Sequence, residues 1–151
     1  MPRRYNVTGT QGTTSSSYKS ALAIIATAAV RPTIYDFSVG MSGTPADNSS
    51  QWEVIRMSGT VGTSTASTPN PLDSGDPAAT GSGATNYSAE QGTPGVVVFG
   101  PLDLNIRATY RWVAAPGGEL IAPPTAANSL NLRCQSSAYT GVLDCHIHYW
   151  E

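Results

Sequence analysis

From residue 102 to residue 113 the chain reads LDLNIRATYRWV, and every second position is apolar. Leu102, Leu104, Ile106, Ala108, Tyr110 and Trp112 alternate with Asp103, Asn105, Arg107, Thr109 and Arg111. Strict period-two alternation is the signature of a β-strand with one face on a core and the other in water or on a partner. A helix would scatter the six apolar side chains around its circumference. At about 3.3 Å per residue the stretch predicts a single strand of about 40 Å, well beyond the common five or six residues.

The same alternation recurs elsewhere. In residues 33–41, Tyr35, Phe37, Val39 and Met41 face away from Asp36 and Ser38. Near the C-terminus, Leu130, Leu132 and Cys134 alternate with Asn131, Arg133 and Gln135, and Leu143, Cys145, Ile147 and Tyr149 with Asp144, His146, His148 and Trp150. A hairpin turning about Tyr139 and Thr140 would set Cys134 opposite Cys145, Leu132 opposite Ile147 and Leu130 opposite Tyr149. Both apolar sets would then share one face.

Weaker patterns fill in the rest. Residues 20–30 are Ala-rich, and the β-branched Ile24, Ile25, Thr27 and Val30 favour strand over helix. Arg31-Pro32 interrupts that run, because proline cannot donate to a ladder and restricts its predecessor. Residues 51–57 form another strand, with either Trp52 and Val54 or Ile55 and Met57 inward. Residues 96–99 read as a short, fully buried strand, Gly100-Pro101 as a turn or kink, and residues 119–122 as a short strand. Turn formers mark residues 43–50 and Pro116-Gly117-Gly118. The irregular stretch 58–94 is expected to hold short strands at 63–68 and 85–89 and a projecting loop at 69–77.

About eight strands separated by turns predict an all-β, jelly-roll-like β-sandwich. Residues 21–151 form its single domain. Residues 1–20 are polar and aperiodic, and predict an extended N-terminal arm, either a floppy tail or a segment that orders on a partner through Arg3, Arg4 and Tyr5.

Composition narrows the function classes. Only 12% of the 151 residues are charged, about half the usual share, and the formal net charge is -2. One lysine and seven dispersed arginines do not make the clustered positive surface that nucleic acid requires. The longest apolar run, residues 21–30, is too short to span a membrane, and some 20 polar residues precede it where a signal peptide needs a short basic segment. With no secretion signal, the sequons at Asn6, Asn48 and Asn86 read as chance, and Cys134 and Cys145 as free thiols.

Little in the sequence speaks for catalysis. Asp144, His146 and His148 share one strand face at a spacing compatible with a transition metal, but no fourth ligand is in view. A polar face in water or against a neighbouring subunit accounts for them, so neither metal nor cofactor is expected. Asp73 and Asp76 lack the rest of a calcium loop. No nucleophile elbow, phosphate-cradling loop or zinc-protease helix occurs, and an enzyme is not expected. Of Tyr110, Trp112, Tyr149 and Trp150, which could stack on a sugar, only Trp150 falls on an outward face.

One texture is familiar. RATYRWVAAPGGELIAPPTAANSLNLRC (107–134), followed by the terminal VLDCHIHYWE (142–151), resembles small structural proteins of tailed bacteriophages, the jelly-roll capsid decoration (cement, or head-stabilising) proteins. The opening R-x-YNVTGTQGT at Arg3 is similar too. The resemblance implies a homo-oligomer, a trimer, seated on the virion's capsid surface after synthesis in the host cytoplasm. Its partners would be the major capsid protein and neighbouring copies. Arg3, Arg4, Tyr5, Arg107 and Arg111 are the expected capsid or subunit contacts. The competing expectation is a tail- or fibre-associated module that recognises a host surface glycan.

Overall fold

The computed structural model describes residues 2–12, 17–44, 46–136 and 141–151. Twelve strands, numbered in chain order, build two sheets and no helix among these residues. The first sheet comprises β1 (Arg4–Gly12), β3 (Thr33–Ser42), β9 (Tyr110–Val113) and β12 (Val142–Trp150), with the short β6 (Asn70–Pro71) and β10 (Leu120–Ile121) at its margins. The second comprises β2 (Lys19–Ile25), β4 (Ser49–Ser58), β8 (Thr93–Asn105) and β11 (Ser129–Ser136), extended by β5 (Thr65–Ser67) and β7 (Ser82–Thr85).

Without the short strands, the sheet orders are β1-β12-β3-β9 and β2-β11-β4-β8, antiparallel throughout. The chain passes from sheet to sheet, only β4 to β8 staying within one, and the last strand pairs with the first. That wrapping is a jelly roll.

The alternating residues meet between the sheets. Tyr5, Val7, Ile34, Phe37, Val39, Leu143, Ile147 and Tyr149 come from the first sheet, and Leu22, Ile24, Trp52, Val54, Leu130 and Leu132 from the second. Trp52 and Val54 are therefore the inward pair of β4. Ile55 and Met57 are buried as well, on the other side of that strand. Burial of β2 and β4 on both faces explains why neither segment alternates cleanly.

A loop covers part of the second sheet's outer face, and polar groups there bond to one another. Asn131 Nδ2 donates to Ser20 Oγ (2.9 Å), which donates to the Glu90 carboxylate (2.6 Å). Ser129 Oγ donates to Gln91 Oε1 (2.6 Å), and Tyr87 packs beside Ala23 and Ala84.

Several expectations need correction. Residues 102–113 are not one strand. β8 ends at Asn105, whose Oδ1 accepts the Arg107 N–H (2.9 Å), and Ala108 N–H bonds back to the Asn105 carbonyl (2.9 Å). Beyond that turn β9 belongs to the other sheet. The alternation survives because Leu104 enters the core from one sheet and Tyr110 and Trp112 from the other. Arg107 and Arg111 accordingly share no sheet face.

Residues 96–99 are not a buried strand but the middle of β8, the outermost strand of its sheet, where Val96 is 66% exposed. Of the two readings of Gly100-Pro101, the kink holds and the turn does not: the chain stays in β8, but Gly100 has a φ of +94° and the register against β4 shifts there. The N-terminal segment is extended, yet Arg4–Gly12 lies within the domain, hydrogen-bonded between β12 and β6. Its close fit shows at Gly9, where a Cβ would lie 2.7 Å from the Ala21 carbonyl oxygen and 2.9 Å from Leu22 Cβ.

The last two long strands do not form a hairpin ladder. β11 pairs with β2 and β4, and β12 with β1 and β3. Cys134 and Cys145 face the same core from opposite sheets as free, buried thiols. The turn expected at Tyr139 and Thr140 lies outside the described residues. In the irregular stretch, β5 falls within 63–68, whereas β7 precedes most of the expected 85–89.

Candidate functional site

The outer face of the first sheet carries the densest constellation of chemistry-bearing side chains. β12 runs through the middle of this sheet, so its outward residues lie in rows between those of β1 and β3. One row is Thr8, His146, Ser38 and Arg111; the next is Asn6, His148, Asp36 and Val113. Two-residue pleating aligns the two histidines, and their ring centroids lie 4.9 Å apart at a tilt of 35°.

Asp36 is the electrostatic centre. Its side chain is only 3% exposed and takes two hydrogen bonds from the Arg111 guanidinium, Nε to Oδ1 at 3.0 Å and Nη2 to Oδ2 at 2.5 Å. His148 Nδ1 sits 3.2 Å from Oδ2. The guanidinium first, with the imidazole adding to it, holds the Asp36 carboxyl below its ordinary value despite burial. The carboxylate only accepts, so His148 carries its proton on Nδ1 and donates it there. His146 Nδ1 lies 2.9 Å from Ser38 Oγ, and burial, with His148 beside it, favours the neutral ring.

Asp36, His146 and His148 each offer a ligand atom within 4.8 Å of the others. The carboxylate of this group is therefore Asp36, from a strand about 110 residues earlier, and not Asp144. Asp144 lies beyond His146, on the wall of a groove of about 420 Å³ that Thr8, Thr10, Ser38, Thr109 and His146 also line. The groove owes part of its depth to Gly40, where a side chain would run into Thr109.

The expected contact residues disperse. Tyr5 is buried, its ring stacked 5.6 Å from that of Tyr149, and offers no surface to a partner. Its assignment as a contact residue is thereby overturned, because β1 pleats it inward. Arg3 reaches Asp76 (3.9 Å), Arg107 pairs with Asp47 (2.8 Å), and Arg4 is exposed. Arg111 is bound to Asp36, although 63% of its side chain remains exposed.

Arg3 and Arg4 line a second hollow of about 460 Å³ with Pro2, Asp73, Asp76 and Trp150. One face of Trp150 is stacked on Tyr35 at 5.0 Å. Asp73 forms a turn by accepting the Gly75 N–H on Oδ1 (2.9 Å), as its surroundings in sequence suggest. Tyr149 is wholly buried, and Tyr110 and Trp112 lie partly buried against the core.

The chain matches no family model, no curated protein and no solved structure.

Proposed function

We propose that this chain is a structural virion protein, a capsid decoration or cement protein that binds the outer face of the major capsid lattice and stabilises the head. The observation that carries the reading is the edge strand β8. It is 13 residues long, pairs on one side only, and exposes Val96 and Val97 in a chain with few charges to keep it apart from neighbours. Pro94, Pro101 and the register shifts against β4 limit this edge as a template for further strand pairing, while its valine side chains stay uncovered. An edge left apolar suits a protein whose working state is an assembly, here a trimer seated against capsomers. The resemblance of residues 107–134 to cement proteins and the jelly-roll wrapping support the same reading. Many weakly bound copies would act together to brace the expanded shell.

Sedimentation of the purified chain with expanded phage shells tests this. We expect saturable binding and a higher temperature of DNA release from the decorated heads. Absence of both would overturn the proposal.

A second reading, a tail- or fibre-associated module for a host glycan, draws on the hollow beside Trp150. An aromatic side chain flanked by Arg3, Arg4, Asp73 and Asp76 has the mixture of apolar face and hydrogen-bonding groups that a sugar ring takes. Binding on a glycan array that is lost in Trp150→Ala would favour it over the capsid role.

A further inference from the structure

We propose that His146 and His148 are the ligands of a divalent transition-metal site on the outer face of the first sheet, its open positions facing the groove beside Asp144. The inference is independent of the capsid reading. It begins with tautomers. Both rings turn Nδ1 toward β3, one to Asp36 and the other to Ser38. Neither Nε2 has a hydrogen-bond partner among the described residues. For His148 the ionised carboxylate fixes the proton on Nδ1, so Nε2 keeps its lone pair for an outside Lewis acid. When His146 donates to Ser38 Oγ, its Nε2 does the same.

This is the arrangement by which proteins prepare imidazole ligands, with a carboxylate or hydroxyl behind each ring to orient it and raise its basicity. Here Asp36 is a positioning residue. Both of its oxygens are engaged by Arg111 and it need not move.

Geometry and rigidity support the pair. The ring centroids are 4.9 Å apart and ligand atoms of the two rings lie within 4.8 Å of one another. Two nitrogens on one tetrahedral ion at about 2.0–2.1 Å sit about 3.3 Å apart, so the rings are neighbours that side-chain rotation can bring onto one ion. The backbone beneath them is pinned by ladders on both sides, to β1 and to β3. His148 retains 25% side-chain exposure, so an ion can reach it from solvent. The groove next to His146 gives room for waters to complete the coordination, and Asp144 on its wall offsets part of the ion's charge.

The donor set determines the class of ion. Two neutral imidazoles suit Cu²⁺, Ni²⁺ and Zn²⁺, with Cu²⁺ bound most tightly, and offer little to Mg²⁺ or Ca²⁺.

The chain's composition makes the test clean, because His146 and His148 are its only histidines and both cysteines are buried. The untagged full chain, stripped of metal, is titrated with Cu²⁺ by calorimetry and then examined by electron paramagnetic resonance. We expect one ion per chain and hyperfine structure from two nitrogens. His148→Gln and His146→Gln should each remove one nitrogen and weaken binding at least tenfold. Asp36→Asn should retain both nitrogens with affinity about tenfold lower, the usual effect of losing a group that orients a ligand. Competition by millimolar Mg²⁺, unchanged affinity in the double histidine variant, or no Cu²⁺ uptake would each overturn the proposal. Should a variant fail to fold, paramagnetic broadening in the wild-type NMR spectrum decides. Broadening confined to β12 and the facing residues of β1 and β3 supports the site, and broadening elsewhere or none overturns it.

Discussion

Asp36 joins three strands through side chains: its own β3, β9 through Arg111 and β12 through His148. Its pH behaviour follows from the direction of its shift. Arg111, and secondarily His148, depress the folded carboxyl below its unfolded value of about 3.9. The stabilisation is therefore complete above about pH 4 and is lost as pH falls through the depressed folded value. Urea midpoints measured from pH 6 to pH 2.5 should drop on the acid side, and Asp36→Asn should flatten that limb.

The thiols give a second expectation at this scale. Burial pushes Cys134 up to about 12 and raises Cys145 as well, so neither presents a thiolate near neutrality. The folded protein should resist a disulfide reagent at pH 8 and release two equivalents of thiol only on unfolding. Prompt reaction in the native state would mean that at least one sulfur is accessible.

Among the elements, β1 is the one that most changes meaning. A detachable arm would be dispensable to the fold, whereas β1 supplies Tyr5 and Val7 to the core and covers one side of β12. Deleting residues 1–12 should abolish cooperative unfolding and leave a protease-sensitive chain, as read by circular dichroism and limited proteolysis. A deleted chain with an intact thermal transition would restore the arm.

The elements also show what a pattern of side chains conveys. Alternation states which residues face inward, and it did so correctly for β11, β12 and the Phe37–Met41 part of β3. Tyr35, expected on that same face, instead stacks outward on Trp150 while Ile34 enters the core, because the pairing of β3 with β12 shifts register there. Alternation does not state which strand lies alongside. For β11 and β12 the inward faces meet across the sandwich instead of side by side, and the pleat looks identical in both cases. The break after Asn105 carries no glycine or proline, only an asparagine whose side chain closes the turn. At the candidate site, the spacing of His146 and His148 is legible in the sequence. Their carboxylate is not, because Asp36 reaches them only through the pairing of β3 with β12. The polar face holding Asp36 and Ser38 was the available signal.

For the whole molecule, the proposed capsid role places the contact with a shell or with other copies at the edge strand β8. That residues 96–99 are apolar is plain from the sequence, but that they lie at a border is a property of the wrapped sheet. Replacing Val96 and Val97 together with lysine should leave the isolated chain's melting temperature within a few degrees, since both side chains already contact water. The same change should weaken association with capsids or with other copies, as sedimentation would record. Equal binding by the double variant would remove β8 from the interface.

The pairing of β1 with β12 also bears on how the protein comes into being. Arg3 and Glu151 exchange backbone hydrogen bonds of 3.1 and 3.0 Å, so the two partners of that outermost rung are nearly the whole described chain apart in sequence. During synthesis on the ribosome, Tyr5 and Val7 emerge early and must wait for Ile147 and Tyr149 before that side of the core can close. Over that interval the nascent chain carries a largely polar strand whose Tyr5 and Val7 side chains and backbone ladder groups have no neighbour on its main side.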